Sequence, residues 1–545
     1  MARHKLAERE LAHNFLEEDN HGGHGVARRK SHDVRCRKAR DRDSFFSAIL
    51  LWAVLVAAIA LGSCGGGSTA PAPPPPPSVN SLSAGDVDAV VTAAAASVDA
   101  GMVIAVVDRG GKILAVFETP GAPTLGLGNF GANVNARELA IALARTAGFF
   151  SNNQAPLSSR TVRFISGVHF PPGVANAPVA DLYGIENTNR GCFLSSTYLP
   201  GQSLARATLS DGTSPGLGII TGKANLSDSD ATAVNPGGVP LFKDGAAVGG
   251  VGVVSTSNSV SEFAAFSGAA AGFLPTSLPP PGVVIVGGIA LPFVEQRTLP
   301  SGATAGSTAG AYVIGPVAGG LPPEGYLVGP VAGAGGLTQD DVATIISQAL
   351  ATAQMTRAVI RLPQGSRTRM TFAVSDLDGT VLGLYRMPDG TVFSADVAVT
   401  KARNVIWFSG AGSADLAGVP PTTAVTNRTI GFGAEPMYPP GIDGAGAGPF
   451  FNLFTGDVAN PCTQGSQAAN VNQSGIVFFP GSLPLYKNGG LVGGLGVSGD
   501  GVDQDDFVTA AGATGFEAPE AIRADQVVID GVRLPYLKFP RNPTQ

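Results

Sequence analysis

The sequence predicts an α+β fold: two tandem domains, each a central antiparallel sheet with helices packed on it. Three observations lead there. First, most of the chain beyond residue 80 is written twice. Met102-Val-Ile-Ala-Val-Val-Asp108-Arg-Gly-Gly111 returns 268 residues later as Met370-Thr-Phe-Ala-Val-Ser-Asp376-Leu-Asp-Gly379, and Arg160 to Gly173 returns at the same offset as Arg428 to Gly441. Gly237-Gly-Val-Pro-Leu-Phe-Lys243 to Val253 returns as Gly481-Ser-Leu-Pro-Leu-Tyr-Lys487 to Val497. Second, each copy carries two runs of β-forming residues broken by short turns, the signature of hairpins. Third, helix signals stand before, between and after these hairpins, an order that suits an antiparallel sheet better than a doubly wound one.

The elements follow in order. Ser83 and Thr338 are N-caps, with Asp86 and Asp341 at the third position beyond. Val87, Val90, Val91 and Val98 form the apolar stripe of the first copy's opening helix; Val342, Ile345, Ile346 and Leu350 form that of the second. The turn Asp108 to Gly111, like Asp376 to Gly379, closes the first hairpin. A second helix is expected over Ala136 to Phe150 and Ala395 to Phe408, aligning Arg145 with Arg403. Pro/Gly-rich inserts follow at 156–236 and 418–480; loops of such length are usually functional or carry structure of their own. The second hairpin spans Val239 to Val254 and Leu483 to Ser498, and a last helix begins near Ser259 and Asp503.

The chain has 545 residues, only 14% of them charged. Residues 1–43 hold 11 Lys/Arg and 8 Asp/Glu, leaving 24 against 33 beyond, a net charge of −9 that argues against a nucleic-acid partner. Phe45 to Leu61 is a 17-residue apolar run behind a basic stretch, ending in Leu61-Gly62-Ser63-Cys64. This order resembles the lipobox of bacterial lipoproteins, which makes Cys64 the expected lipidation site and attaches the chain to a membrane. An uncleaved anchor helix is the alternative. No aspartate follows Cys64, the pattern of outer-membrane sorting, so the expected location is the bacterial cell envelope.

The expected organisation is a charged extension and signal segment over 1–64, a Gly/Pro-rich tether over 65–80, domains over 81–294 and 337–545, and a connector over 295–336. In the connector, Tyr312-Val-Ile-Gly-Pro-Val-Ala-Gly319 is echoed by Tyr326-Leu-Val-Gly-Pro-Val-Ala-Gly333, either a small hairpin or two strand additions. Cys192 and Cys462 fall at nearly equivalent places, one per domain. They either pair across the domains or remain two buried thiols, and the second is the simpler account.

Several strings together resemble the GlcG/HbpS-like family: hydrophobic-Ala-Val-x-Asp-x-x-Gly-x-Leu, a helix with Ala-Arg or Lys, and Pro-Leu-aromatic-Lys-x-Gly-x-x-Val-Gly-Gly-x-Gly-Val. They also resemble the C-terminal domain of PduO-type proteins. The resemblance covers both repeats, and its motifs are mainly structural glycines and strand residues. It implies a compact α+β domain, haem as a tentative cofactor, and either a homo-oligomer or a pseudo-dimer of the two repeats. The family's lysine in the second helix is Lys401 here but Leu143 in the first copy.

His169 is the one histidine beyond residue 43, so a Ser-His-Asp triad or a histidine metal centre cannot form in the second domain. The string Gly212 to Gly216 matches a nucleophile elbow by chance. Gly494 to Gly499 matches a dinucleotide fingerprint but lies within a hairpin strand, where glycine suits close helix packing. His169 aligns with Met437, and both residue types ligate haem iron. One reading makes the two axial ligands; the simpler one packs them beside Phe170 and Tyr438. Arg145, Arg403, Arg160 and Arg428 are candidates for pairing haem propionates, and Lys401 for ligand contact. The leading functional expectation is an envelope-anchored protein that binds haem or another tetrapyrrole. The alternatives are a haem-degrading or redox enzyme and a structural, partner-binding module without a ligand.

Overall fold

The computed structural model describes residues 80–192, 194, 216–227, 233–275, 280 and 282–544, which belong to one compact unit. The charged extension, the apolar run, Cys64 and most of the Gly212 to Gly216 string lie outside the described residues. Among the described residues no helix is long and apolar enough to cross a membrane.

The first domain runs α1 (Ala84–Ser97), β1 (Met102–Asp108), β2 (Ile113–Glu118), a ribbon of β3 (Leu125–Leu127) and β4 (Asn133–Asn135), α2 (Ala136–Phe150), α3 (Ser159–Phe164), β5 (Gly238–Lys243), β6 (Ala246–Ser255) and α4 (Asn258–Ala270). A short ribbon, β7 (Ile285–Val286) and β8 (Ile289–Ala290), and the strand β9 (Ala311–Ile314) follow. The second domain runs β10 (Gly325–Val328), α5 (Gln339–Met355), β11 (Thr371–Ser375), β12 (Val381–Arg386), α6 (Phe393–Ser409), α7 (Asn427–Gly433), α8 (Phe451–Ala459), β13 (Ser482–Lys487), β14 (Gly490–Ser498) and α9 (Val502–Gly512). A terminal ribbon, β15 (Val528–Ile529) and β16 (Val532–Arg533), closes the chain.

Each domain holds one five-stranded antiparallel sheet, ordered β5-β6-β1-β2-β9 and β10-β12-β11-β14-β13. Alternation along β1 sends Met102, Ile104 and Val106 into a cluster with α1 and α4, and Val103, Ala105 and Val107 into another with α2. Both faces of the sheet are therefore covered. The second domain repeats this, with Phe372 and Val374 toward α5 and Ala373 toward α6.

Local chemistry explains the repeated motifs. Ser83 and Thr338 each accept from the third backbone N–H, while Asp86 and Asp341 return a bond to the cap N–H at 2.8 Å, a complete capping box. The lysine of Pro-Leu-aromatic-Lys then reaches the same carboxylate, Lys243 to Asp86 at 2.7 Å and Lys487 to Asp341 at 2.8 Å. That lysine fastens an edge strand to the opening helix. The glycine-rich strand is a packing device: a Cβ at Gly252 or Gly496 would overlap the Ala140 or Ala398 carbonyl oxygen. Gly494 to Gly499 accordingly lies on β14 and beyond it, against α6.

The echoed connector segments are two strand additions. β9 extends the first sheet beside β2 and β10 extends the second beside β12. The turn aspartates seal them, since Asp108 accepts from Gly320 N–H at 3.0 Å and Asp376 from Ala334 and Gly335 N–H at 2.6 and 2.9 Å. Asp108 and Asp376 thus have a structural task.

The repeats are joined through their inserts and through the ends of α2 and α6. The Phe150 and Phe393 rings stack at 4.0 Å, and Asp389 bridges Arg109 at 2.7 Å and Arg361 at 2.6 Å. Cys192 and Cys462 form a disulfide with Cα atoms 5.4 Å apart, which corrects the simpler expectation of two unpaired thiols. The two inserts cross, and cysteines that are equivalent in sequence become neighbours.

Candidate functional site

Two clefts open on the second domain. One, of about 310 Å³, lies over the outer face of α6. Leu377, Ile406, Trp407 and Leu491 give it apolar walls, and Arg403 with Gln464 supplies polar edges. α6 positions three of these residues, since Arg403, Ile406 and Trp407 fall at helical spacing. Arg403 Nε–H donates to the Gly379 carbonyl at 2.9 Å, Nη1 to Ser474 Oγ at 3.1 Å and Nη2 to the Leu194 carbonyl of the first domain's insert at 3.2 Å. Burial lowers its pKa to about 10 even though Asp396 and Asp378 favour the charged form. Trp407 is held by its indole N–H, which donates to Asp415 at 2.9 Å. Gln464 accepts from Asn404 at 2.6 Å, so the wall opposite α6 is fixed by the insert.

The corresponding place in the first domain is closed. Arg145 donates to Gly111 O at 2.9 Å, but Phe149 and Leu217 to Ile219 fill the space to about 10 Å³.

A second cleft, of about 290 Å³, lies between α8 and the 460–466 stretch. It holds Asp457, whose pKa burial raises to about 8 against the pull of the Ile476 N–H and Arg190. Asp415, Asn452, Asn460, Thr463 and Ser466 give it polar walls beside Leu453 and Ile476.

The other residues singled out from sequence are engaged elsewhere. Arg160 forms a bidentate pair with Glu262 at 2.8 and 2.9 Å and meets Glu295 at 3.0 Å. Arg428 pairs with Asp506 at 2.5 Å and Asp503 at 2.7 Å. Lys401 is buried, donates to Val497 O at 2.8 Å and lies 3.1 Å from Asp505. His169 Nε2 lies 2.5 Å from Asp443 Oδ1 of the second domain, and this contact holds the Asp443 carboxyl below its ordinary pKa. Met437 packs at the edge of the second domain's core. The structure brings only Arg403 of this set into the large cleft. Trp407 was missed by sequence reasoning; its signal was an aromatic one helical turn beyond the shared arginine. Among the described residues no group of three His, Cys, Asp or Glu could hold a metal ion.

Residues 337–514 match the family model described as haem degrading protein HbpS-like. The matched stretch lies in the second half of the chain, and the first half repeats the α+β design of the second. The corrinoid adenosyltransferase PduO of Salmonella typhimurium (strain LT2) is 26% identical over 152 residues, 28% of this chain and 33% of that protein, so the chain spans about a third of the length of this curated relative. Among solved structures, a PduOC:Heme complex is 20% identical with a TM-score of 0.23, covering 35% of this chain and 98% of that one. Klebsiella pneumoniae protein ORFY is also 20% identical, with a TM-score of 0.22, covering 33% and 90%.

Proposed function

We propose that the protein binds a small planar ligand of the tetrapyrrole class in the Arg403 cleft, held at the bacterial envelope through Cys64. The observation that carries this reading is the cleft itself, which lies in the stretch matched by the HbpS-like model and is closed in the other repeat. Its volume is within the range of small-ligand sites. Trp407, Ile406 and the two leucines suit the face of a ring, and Arg403 adds a guanidinium suited to an anionic edge. The lining contains no His, Cys, Met or Tyr, so it fits the ring and supplies no axial ligand to an iron. The envelope location rests on the apolar run and the residues before Cys64.

Absorbance titration of the full-length protein, once with haem and once with iron-free protoporphyrin, tests the reading. Both should saturate at one ligand per chain, and Trp407→Ala should weaken both. His169→Ala and Met437→Ala should leave the haem spectrum unchanged. A flat titration with either ring, or binding indifferent to Trp407, would remove the proposal. The family description favours haem degradation as a second reading; loss of the bound haem band on adding reductant and oxygen would support it.

A further inference from the structure

Lys223 and Glu186 lie in the long insert of the first domain, with both side chains fully enclosed. Nζ stands 3.4 Å from Glu186 Oε1, yet it makes no hydrogen bond, and Glu186 Oε2 has no partner either. Oε1 accepts from the Thr221 hydroxyl at 2.9 Å. Three rings surround the amine, Tyr183 at 4.8 Å, Phe454 at 5.7 Å and Phe130 at 5.9 Å from Nζ. A third buried group comes from the second domain. Glu435 is enclosed, its Oε2 also lacks a partner, and its carboxyl feels the charge of Lys223. Glu435 and Tyr183 line a cavity of about 140 Å³.

An ammonium and a carboxylate out of water, 3.4 Å apart and with Nζ and Oε2 lacking hydrogen-bond partners, are a costly way to fill a core. Joining them removes both charges. We propose that Lys223 and Glu186 condense into an isopeptide bond, with Glu435 relaying the protons. Nζ gives up one proton and attacks the Glu186 carboxyl carbon; a second proton leaves the nitrogen as the amide forms. One C–O bond of Glu186 breaks, and that oxygen takes both protons and departs as water. Ammonium plus carboxylate therefore becomes amide plus water, with no oxidant or reductant. Glu435 gives a proton to the departing oxygen and recovers one from nitrogen, ending as it began. Burial raises its carboxyl's pKa against the opposing pull of Lys223, which favours the protonated form that a relay needs. The cavity beside it receives the water. The aromatic box excludes bulk water, which would otherwise favour hydrolysis.

The experiment is mass spectrometry of the full-length protein, reduced so that Cys192–Cys462 does not contribute, then denatured and digested with trypsin. Cleavage after Arg163, Arg190 and Arg206 releases Glu186 and Lys223 on separate peptides unless they are bonded. The expected product joins 164–190 to 207–243, uncut at Lys223 and lighter than the sum by one water. Glu435→Gln should give the separate peptides 164–190 and 207–223, as should Lys223→Arg. Separate peptides from the unmodified sequence would overturn the proposal, whatever the variants do. A joined product that persists in Glu435→Gln would overturn the proton relay.

Discussion

Arg145 and Arg403 hold the same place in their domains and face different surroundings. Each donates Nε–H at 2.9 Å to the glycine carbonyl of the Asp-x-x-Gly turn, and burial brings each to a pKa of about 10. Yet beside Arg145 the space is about 10 Å³ and beside Arg403 about 310 Å³. One turn further along the helix, Phe149 is buried where Trp407 is only partly covered. The duplicated scaffold therefore fixes the arginine, while the residue after it and the insert above it decide whether a ligand has room.

Exchanging these roles gives the largest expected effects. Phe149→Ala should cost about 3–5 kcal/mol of stability, as for other buried aromatic truncations, and leave ligand titration unchanged. Trp407→Ala should do the reverse, with a small change in denaturation midpoint and loss of most ligand affinity. Titration and urea unfolding on both variants decide the matter, and matching behaviour of the two would erase the contrast. The arginines paired with the last helix of each domain should instead behave alike. Arg160→Met and Arg428→Met each strand buried carboxylates, Glu262 in one domain and Asp506 in the other, and should each cost about 3–5 kcal/mol. Gly252→Ala and Gly496→Ala press on equivalent helix carbonyls; denaturant unfolding should show about 1–3 kcal/mol lost at each.

The pH dependence is smaller and separates the two kinds of acid. Asp457, with a pKa raised by burial to about 8, binds its proton more tightly folded than unfolded. Its contribution to stability is present below about pH 4, the ordinary carboxylate value, and is lost as pH rises through about 8. Asp457→Asn should flatten a decline measured between those limits. Asp341 has the opposite sign. Lys487 and the Thr338 cap hold its pKa at about 2, so what it contributes is present at neutral pH and is lost as the pH falls through that value. Asp341→Asn should remove that acid-side loss in a melting series.

Much of the scaffold was legible because it is local. The capping pairs at Ser83 and Thr338, the Asp-x-x-Gly hairpins and the glycine strand all announce themselves within a few residues, and repetition excludes accident. The α+β expectation followed from their order. The cleft was not legible in the same way. Arg403 could be named from the repeat, but its open neighbourhood depends on where residues 464–472 of a long insert return, and no periodicity encodes that. For the same reason the Cys192–Cys462 bond could be offered only as one of two alternatives, and the contact of His169 with Asp443 was hidden. Each joins two inserts about 270 residues apart in sequence, and alignment of one repeat on the other says nothing about which parts of the repeats touch. The arginines at 160 and 428 illustrate a different limit. Their carboxylate partners lie on or beside the last helix of each domain, where acidic residues are common, so pairing and ligand contact read alike.

β9 and β10 have a consequence for the chain's continuity. The first sheet takes its outer strand from the C-terminal side and the second from the N-terminal side, and Gly320 already seals Asp108 before β10 begins at Gly325. A single protease cut between Gly320 and Gly325 would leave each fragment with all five strands of its sheet. The stacked Phe150 and Phe393 rings and the Cys192–Cys462 bond would still tether the pieces. The molecule is thus laid out to survive nicking as a two-chain particle held together by a covalent bond.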